Sequence, residues 1–249
     1  MNIMVFDTET TALEKCFCYN IGYVIVNTET GETLTAKDFV IEQIWHNLPL
    51  FSSAYYADKR PIYVNRMRAR KVKLAKFGQI TKEMISDIKF YNVSSAYAYN
   101  SPFDEKVFNF NCDWFKCINP FEILPIFDIR AYVHKFIAFT NEFQTFCENN
   151  SLFTDAGNYS TTAETLFRFI TNNTDFSEEH TALADSEIEA KILMHCLSLG
   201  GQLETEYTVY KSIPRKQNKE LKIFINGIET KSFKYKKRVN RKDNIYLTD

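Results

Sequence analysis

Apolar and polar positions near the start of the chain alternate in short, β-rich runs. Val5 leads into the polar residues Asp7 and Glu9, a second run covers 21–27, and a third covers 34–41 after the Thr28-Glu29-Thr30-Gly31 turn. Three strands in meander order predict the antiparallel part of a mixed sheet. From 44 to 91 the pattern turns helical, with a basic helical segment over 65–77, a break at Gly78 and an amphipathic stretch over 81–88. Residues 93–99 read as a buried strand. Pro102 then marks the start of a helix with Ser101 as its N-cap and Phe103, Val107 and Phe108 on its apolar face. A short strand is predicted over 123–127. Asp128 is placed to cap a helix carrying Ile129, Val133, Phe136 and Ile137, and further helices are predicted over 141–148, 161–170 and 184–199.

Strands followed by alternating strands and helices make an α/β layered domain, a mixed central β-sheet flanked by helices, over residues 1–201. The Gly200-Gly201 pair is the candidate boundary. In the extension, 202–249, the runs 221–225 and 228–235 flank Asn226-Gly227, the signature of a β-hairpin with a type I′ turn. With 249 residues, 45% of them hydrophobic, the chain can bury a full core. Its apolar runs are too short for a membrane span. The N-terminus lacks the features of a secretory signal, so the expected location is cytoplasmic. The six cysteines lack paired C-x2-C spacing and read as reduced thiols, with Cys16 and Cys18 a poor start for a zinc site.

The net charge of −1 hides an uneven distribution. Residues 59–76 hold eight Lys or Arg and no acid, and residues 211–249 hold twelve against four acids, a net of +8, which leaves −17 on the remainder. An acidic body with basic arms suits a protein that holds cations in a carboxylate site and grips a polyanion around it. In the first basic segment Arg66, Arg68, Arg70, Lys71, Lys73 and Lys76 form either a solvated helix or a phosphate-tracking patch, with Arg66, Arg70 and Lys73 as the candidate contacts. Tyr55, Tyr56 and Tyr63 nearby are candidate base-stacking rings.

Asp7 and Glu9, two apart on a strand, project from one face and can share a cation, although a D-x-E triplet also suits a solvated strand edge. Asp104 follows Ser101 with capping-box spacing. Asp185 falls in the first turn of a helix, where an acid also compensates the dipole, and His180 reads alone as a loop histidine. Taken together and in this order, Phe6-Asp7-Thr8-Glu9-Thr10-Thr11, then Asn100-Ser101-Pro102-Phe103-Asp104 after a strand, then His180-Thr181-Ala182-Leu183-Ala184-Asp185, strongly resemble the three exonuclease motifs of the DEDDh family. The resemblance runs over residues 1–200 and takes in Gly78-Gln79-Ile80-Thr81 and 158–169.

That resemblance implies an RNase H-like fold and a 3′-to-5′ exonuclease releasing nucleoside 5′-monophosphates. Two divalent ions, Mg²⁺ or Mn²⁺, would serve the reaction, since hard cations prefer carboxylate oxygens. It implies that Asp7 bridges both ions, that Glu9 and Asp185 complete the first site and Asp104 holds the second, and that His180 is the general base; nearby carboxylates would raise the pKa of this imidazole unless bound metal offsets them. Histidine rather than tyrosine before the last aspartate selects DEDDh over DEDDy. The same comparison puts Thr8, Thr10, Asn100 and Phe103 near the terminal nucleotide, while Ala12 departs from the glycine often found after the first motif. The expected substrate is DNA, as single strands or frayed 3′ ends; an exoribonuclease is the alternative, and a non-catalytic nucleic-acid-binding module a third, against which the intact set of four acids and histidine argues. The basic C-terminal extension, with Phe233, Tyr235 and Tyr246 interleaved among its lysines, is expected to hold substrate or to dock a polymerase or another replication protein.

Overall fold

A computed structural model describes residues 1–215 in full and, beyond them, the backbone of the strands 217–225 and 228–237. The opening meander forms as its alternation predicts: β1 (Asn2–Thr10), β2 (Cys18–Asn27) and β3 (Thr33–Ile41) pair antiparallel in succession. After two single-turn helices, α1 (Glu42–Trp45) and α2 (Leu48–Phe51), comes α3 (Arg60–Arg68). Then follow β4 (Lys73–Ala75), α4 (Phe77–Phe90), β5 (Val93–Ala98), α5 (Ser101–Phe115) and β6 (Ile126–Asp128). Four helices close the body, α6 (Ile129–Phe136), α7 (Asn141–Asn149), α8 (Ala163–Thr171) and α9 (Ala182–Ser198). The main sheet runs β4-β3-β2-β1-β5-β6, with β5 parallel to β1, β6 parallel to β5 and β4 parallel to β3.

Helices cover both faces, so the period of two along β1 sorts its residues between two cores. Met4 and Phe6 join Phe77, Met84 and Phe108 from α4 and α5, whereas Ile3 and Val5 join Tyr132, Phe143, Leu166 and Ile192 from α6 to α9. Asp7 and Glu9 continue the odd positions and so belong to the face that α9 covers.

Several boundaries differ from the pattern-based reading. The basic segment 65–77 is not one helix: α3 stops at Arg68, Arg70 takes a left-handed φ of 56°, and the chain re-enters the sheet as β4. Gly78 breaks nothing and lies in the first turn of α4; the break is two residues earlier, where Lys76 has an extended ψ of 143°. Asn100, not Ser101, is the N-cap of α5, in a left-handed conformation with φ of 65°, which an asparagine tolerates. The last strand begins at Ile126 rather than at 123 because Pro125 lacks an N–H to donate, and Pro120–Glu122 form a single 3-10 turn before it. Asp128 caps α6 as expected, its Oδ1 accepting the Arg130 N–H at 2.9 Å.

After the glycine pair the chain runs back over the body. The Tyr97 hydroxyl accepts the Glu204 N–H at 2.9 Å, Tyr207 meets the Tyr132 ring edge-on, and Ile213 bridges to Tyr159. Gln217–Ile225 (β7) and Ile228–Lys237 (β8) pair antiparallel in a separate two-stranded sheet. The Asn226-Gly227 turn, the tail beyond 237 and the side chains from 216 onward, Phe233, Tyr235 and Tyr246 included, lie outside the described residues. No helix among the described residues is long and apolar enough to cross a membrane.

Among the described glycines the tightest approach is at Gly22 on β2. A Cβ there would lie 2.0 Å from the Leu183 nitrogen and 2.2 Å from the Ala182 carbonyl carbon, both backbone atoms of α9. The Ser186 hydroxyl donates to the Gly22 carbonyl at 3.0 Å, and the Ala182 N–H donates to Asn20 Oδ1 at 2.9 Å. Gly22→Ala is therefore expected to push α9 off the sheet and to cost about 3 kcal/mol of stability, read by urea denaturation; a midpoint equal to that of the parent protein would refute the close approach.

Candidate active site

Three elements deliver the acids. Asp7 and Glu9 come from β1, and Gly22, which pairs with Asp7 from β2, lets the first turn of α9 approach the two strands, so that carboxylate oxygens of Asp7, Glu9 and Asp185 all lie within 4.8 Å of one another. Asp104, in the first turn of α5, is 2% exposed, and its Oδ1 accepts the Thr8 hydroxyl at 2.7 Å. The acid that could have completed a capping box with Ser101 is tied to β1 instead.

Burial in this group disfavours ionisation. It is the main reason that the Asp7 carboxyl lies well above the usual range, with Asp104 the next contributor. Burial likewise pushes Glu9 up to about 8 and Asp104 and Asp185 up to about 7, with Lys59 partly opposing it at Glu9 and Asp185. Asp185 Oδ1 is buried without a hydrogen-bond partner among the described residues. An orphaned acceptor among mutually repelling carboxylates is a donor set that fits a hard divalent cation.

His180 belongs to a neighbouring cluster. Its imidazole shares a 4.8 Å neighbourhood with Glu164 and Glu178, a second group of residues able to coordinate a metal ion. The residue has a left-handed φ of 52°, its ring stacks on Tyr56 at 4.7 Å and 12°, and Nδ1 is 3.6 Å from Glu178 Oε2. The upward pull expected of nearby acids is present from Glu164 but outweighed: burial lowers the His180 pKa, and the Lys59 ammonium adds to the effect. Glu178 is itself pushed up to about 7, by burial first and by Asp185 second.

The loop before α9 is fastened from α3. Arg66 donates to Asp38 Oδ2 at 3.3 Å, to the Thr181 hydroxyl at 3.0 Å and to Glu179 at 2.6 Å, while Lys59 donates to the Glu179 carbonyl and sits over the Tyr56 ring at 4.5 Å. Of the other sequence-derived candidates, Thr8 serves Asp104, Thr10 reaches its own loop at Ala12, and the Asn100 N–H donates to Asp128 at 2.9 Å. Phe103 packs at the margin of the first core. Lys73 pairs with Glu83 at 2.7 Å, Arg70 is exposed, and Tyr63 is a fully buried core ring.

Sequence reasoning missed Lys59 as the cation facing the acids, Glu178 as the neighbour of His180, and Glu189. The last is buried, 4% exposed, with its carboxyl held well above the usual range by burial and then by Asp104 and Asp185. Glu189 was detectable, because it follows Asp185 by one helical turn and shares its face. Glu164 comes from α8, and no local signal links it to His180.

No protein-family model matches this sequence, and no curated protein does. Among solved structures, the nuclease domain of 3′hExo, a DEDDh family member, bound to rAMP superposes with a TM-score of 0.56 at 16% identity, over 85% of this chain and 97% of that one. A structure of 3′-end specific recognition of histone mRNA stem-loop by 3′-exonuclease gives 0.55 at 16% identity, over 80% and 82%. The ExoI/SSB-Ct complex gives 0.53 at 15% identity, over 80% of this chain and 42% of that one. These likenesses show the fold, an RNase H-like α/β layered architecture.

Carboxyls raised in this way bind protons more tightly in the folded protein than in the unfolded one, where they titrate near 4. Their contribution to stability is complete below about pH 4 and is lost as pH rises through about 7 to 8. Asp185→Asn is thus expected to stabilise the metal-free protein at pH 8 by about 2 kcal/mol and to flatten its stability profile between pH 5 and pH 8. Thermal unfolding across that range reads both effects; parallel profiles for the two proteins would contradict the raised Asp185.

Proposed function

We propose that the protein is a metal-dependent 3′-to-5′ exonuclease of the DEDDh type that degrades DNA from single-stranded or frayed 3′ ends, releasing nucleoside 5′-monophosphates. The observation that supports this most is the convergence of Asp7, Glu9 and Asp185 from β1 and α9, with Asp104 beside them and an orphaned acceptor on Asp185. In this reading Asp7, Glu9 and Asp185 would hold one divalent ion, and Asp7 with Asp104 would hold a second. Mg²⁺ or Mn²⁺ there would supply an acidified water and stabilise charge on the phosphate and on the leaving oxygen. His180, kept neutral at pH 7 by burial and by Lys59, accepts a proton from the attacking water through a ring nitrogen. The Lys59 ammonium is a positive charge felt by both Glu9 and Asp185, and it suits an incoming phosphate.

Thr8, Thr10, Asn100 and Phe103 remain the candidates around the terminal nucleotide, and Arg66, Arg70 and Lys73 those along the strand. The exposed Arg68, Arg70 and Lys71, at the end of α3, lead the strand toward the site, and the basic C-terminal hairpin holds it upstream or docks a polymerase or other replication protein. A cytoplasmic setting suits six free cysteines. Degradation of RNA is the second reading, favoured by fold likeness to structures whose names carry rAMP and a histone mRNA stem-loop.

The test is incubation with 5′-labelled single-stranded DNA and RNA of matched sequence in Mg²⁺, Mn²⁺ or EDTA. Shortening from the 3′ end that needs metal and is absent from Asp7→Ala is expected, faster on DNA; binding without cleavage of either polymer would leave a non-catalytic module. His180→Ala should bind DNA normally and cleave it about a hundred-fold to ten-thousand-fold more slowly, and unchanged turnover would remove it as the base. A chain ending at Arg215 should bind single-stranded DNA more weakly and with a shallower dependence of affinity on salt. Identical salt slopes would exclude the C-terminal arm from the substrate path.

A further inference from the structure

We infer that Glu178 is a positioning residue for His180: with the Tyr56 ring it holds the imidazole in one orientation, Nδ1 toward the Glu178 carboxylate and Nε2 free to take a proton. The inference rests on His180 being the base of the proposed reaction. A planar ring stacked on another keeps one easy motion, rotation within its own plane, and that motion decides which nitrogen meets a reacting water. Tyr56 supplies the stack, at 4.7 Å and 12°. Glu178 Oε2, 3.6 Å from Nδ1, is the one carboxylate in ion-pair range of the ring among the described residues. That separation exceeds a formed hydrogen bond, and such contacts tighten when substrate binds. A neutral imidazole carries one N–H, and the partner of one nitrogen selects which of the two bears it.

The residue is itself anchored through its backbone. The Glu178 N–H donates to Glu164 Oε2 at 3.0 Å, and Glu164 is paired one helical turn along α8 with Arg168 at 2.7 Å. Glu164 also borders the imidazole but is occupied by these two partners, whereas the carboxylate of Glu178 faces His180 Nδ1. The Lys59 ammonium lies over the Tyr56 ring and is tied to the Glu179 carbonyl. One carboxylate and one aromatic face therefore determine how the ring is turned.

The experiment uses the full chain and the variants Glu178→Ala, Glu178→Gln, His180→Ala and the double variant that combines E178A with H180A. Turnover is followed on the labelled strand that the protein degrades. Glu178→Ala should lower kcat by about ten- to a hundred-fold with little change in KM. Glu178→Gln, which keeps an oxygen acceptor at the same reach, should recover most of that loss, and adding E178A to H180A should cost nothing further. Long-range ¹H–¹⁵N spectra of the metal-free protein at alkaline pH, with the His180 signals identified by their absence from His180→Ala, should show the Nδ1–H tautomer in the parent and Glu178→Gln and its loss in Glu178→Ala. Glu178→Met, close in shape and without an acceptor, gives the same reading should the alanine variant not fold. An unchanged tautomer, or an equal loss of kcat in the H180A background, overturns the inference. Normal turnover by His180→Ala would instead overturn the assignment of the base, while the tautomer still decides what Glu178 does.

Discussion

The contact between β2 and α9 at Gly22 is the constraint on which the site depends. Two backbones meet there with no side chain between them, and Asn20 and Ser186 bind the helix start to the strand on either side of the glycine. Asp185 is three residues beyond Ala182, so its distance from Asp7 and Glu9 is set by how closely that first turn can approach. Any Cβ at position 22 would move the acid away from its partners before it touched them. The acids are thus assembled by packing, against their own repulsion.

That repulsion is the second theme. Asp7, Glu9, Asp104, Asp185 and Glu189 lie in a region where burial makes ionisation costly, with Lys59 as the main opposing charge at Glu9 and Asp185. Such a group is strained when empty and relieved by a divalent cation, so ligand binding and folding draw on the same free energy. His180, next door and stacked on Tyr56, is subject to the same pressure: burial pushes it towards its neutral form too, and Lys59 adds to the effect.

Much of this was legible in the chain, and the reasons are physical. Alternation in β1 to β3 reports a sheet with helices on both faces, and Asp128 at a helix start reports its own hydrogen bond. The four acids could be linked because motif order and element type agreed, each acid following or ending a strand or opening a helix. What stayed hidden depends on partners far along the chain. The pattern around β4 reads as helix because Lys73 and its basic neighbours suit either state, and only pairing with β3 decides. Asn100 as a left-handed cap, Arg66 buckled to Glu179 and Thr181, and Glu164 beside His180 are all long-range or conformational facts that local composition does not record.

The sheet's borders carry one more consequence. Both outer strands, β4 and β6, are three residues long, and β4 bears lysine beside its exposed margin. On β4 and β6 themselves a foreign strand finds a ladder only three residues long, with Lys73 as a charged neighbour on β4, whereas β3 meets β4 only through its last three residues. The long, apolar and aggregation-prone strands β1 and β2 are confined to the middle. The main sheet thus keeps its most deeply buried strands away from the borders at which an incoming strand would pair.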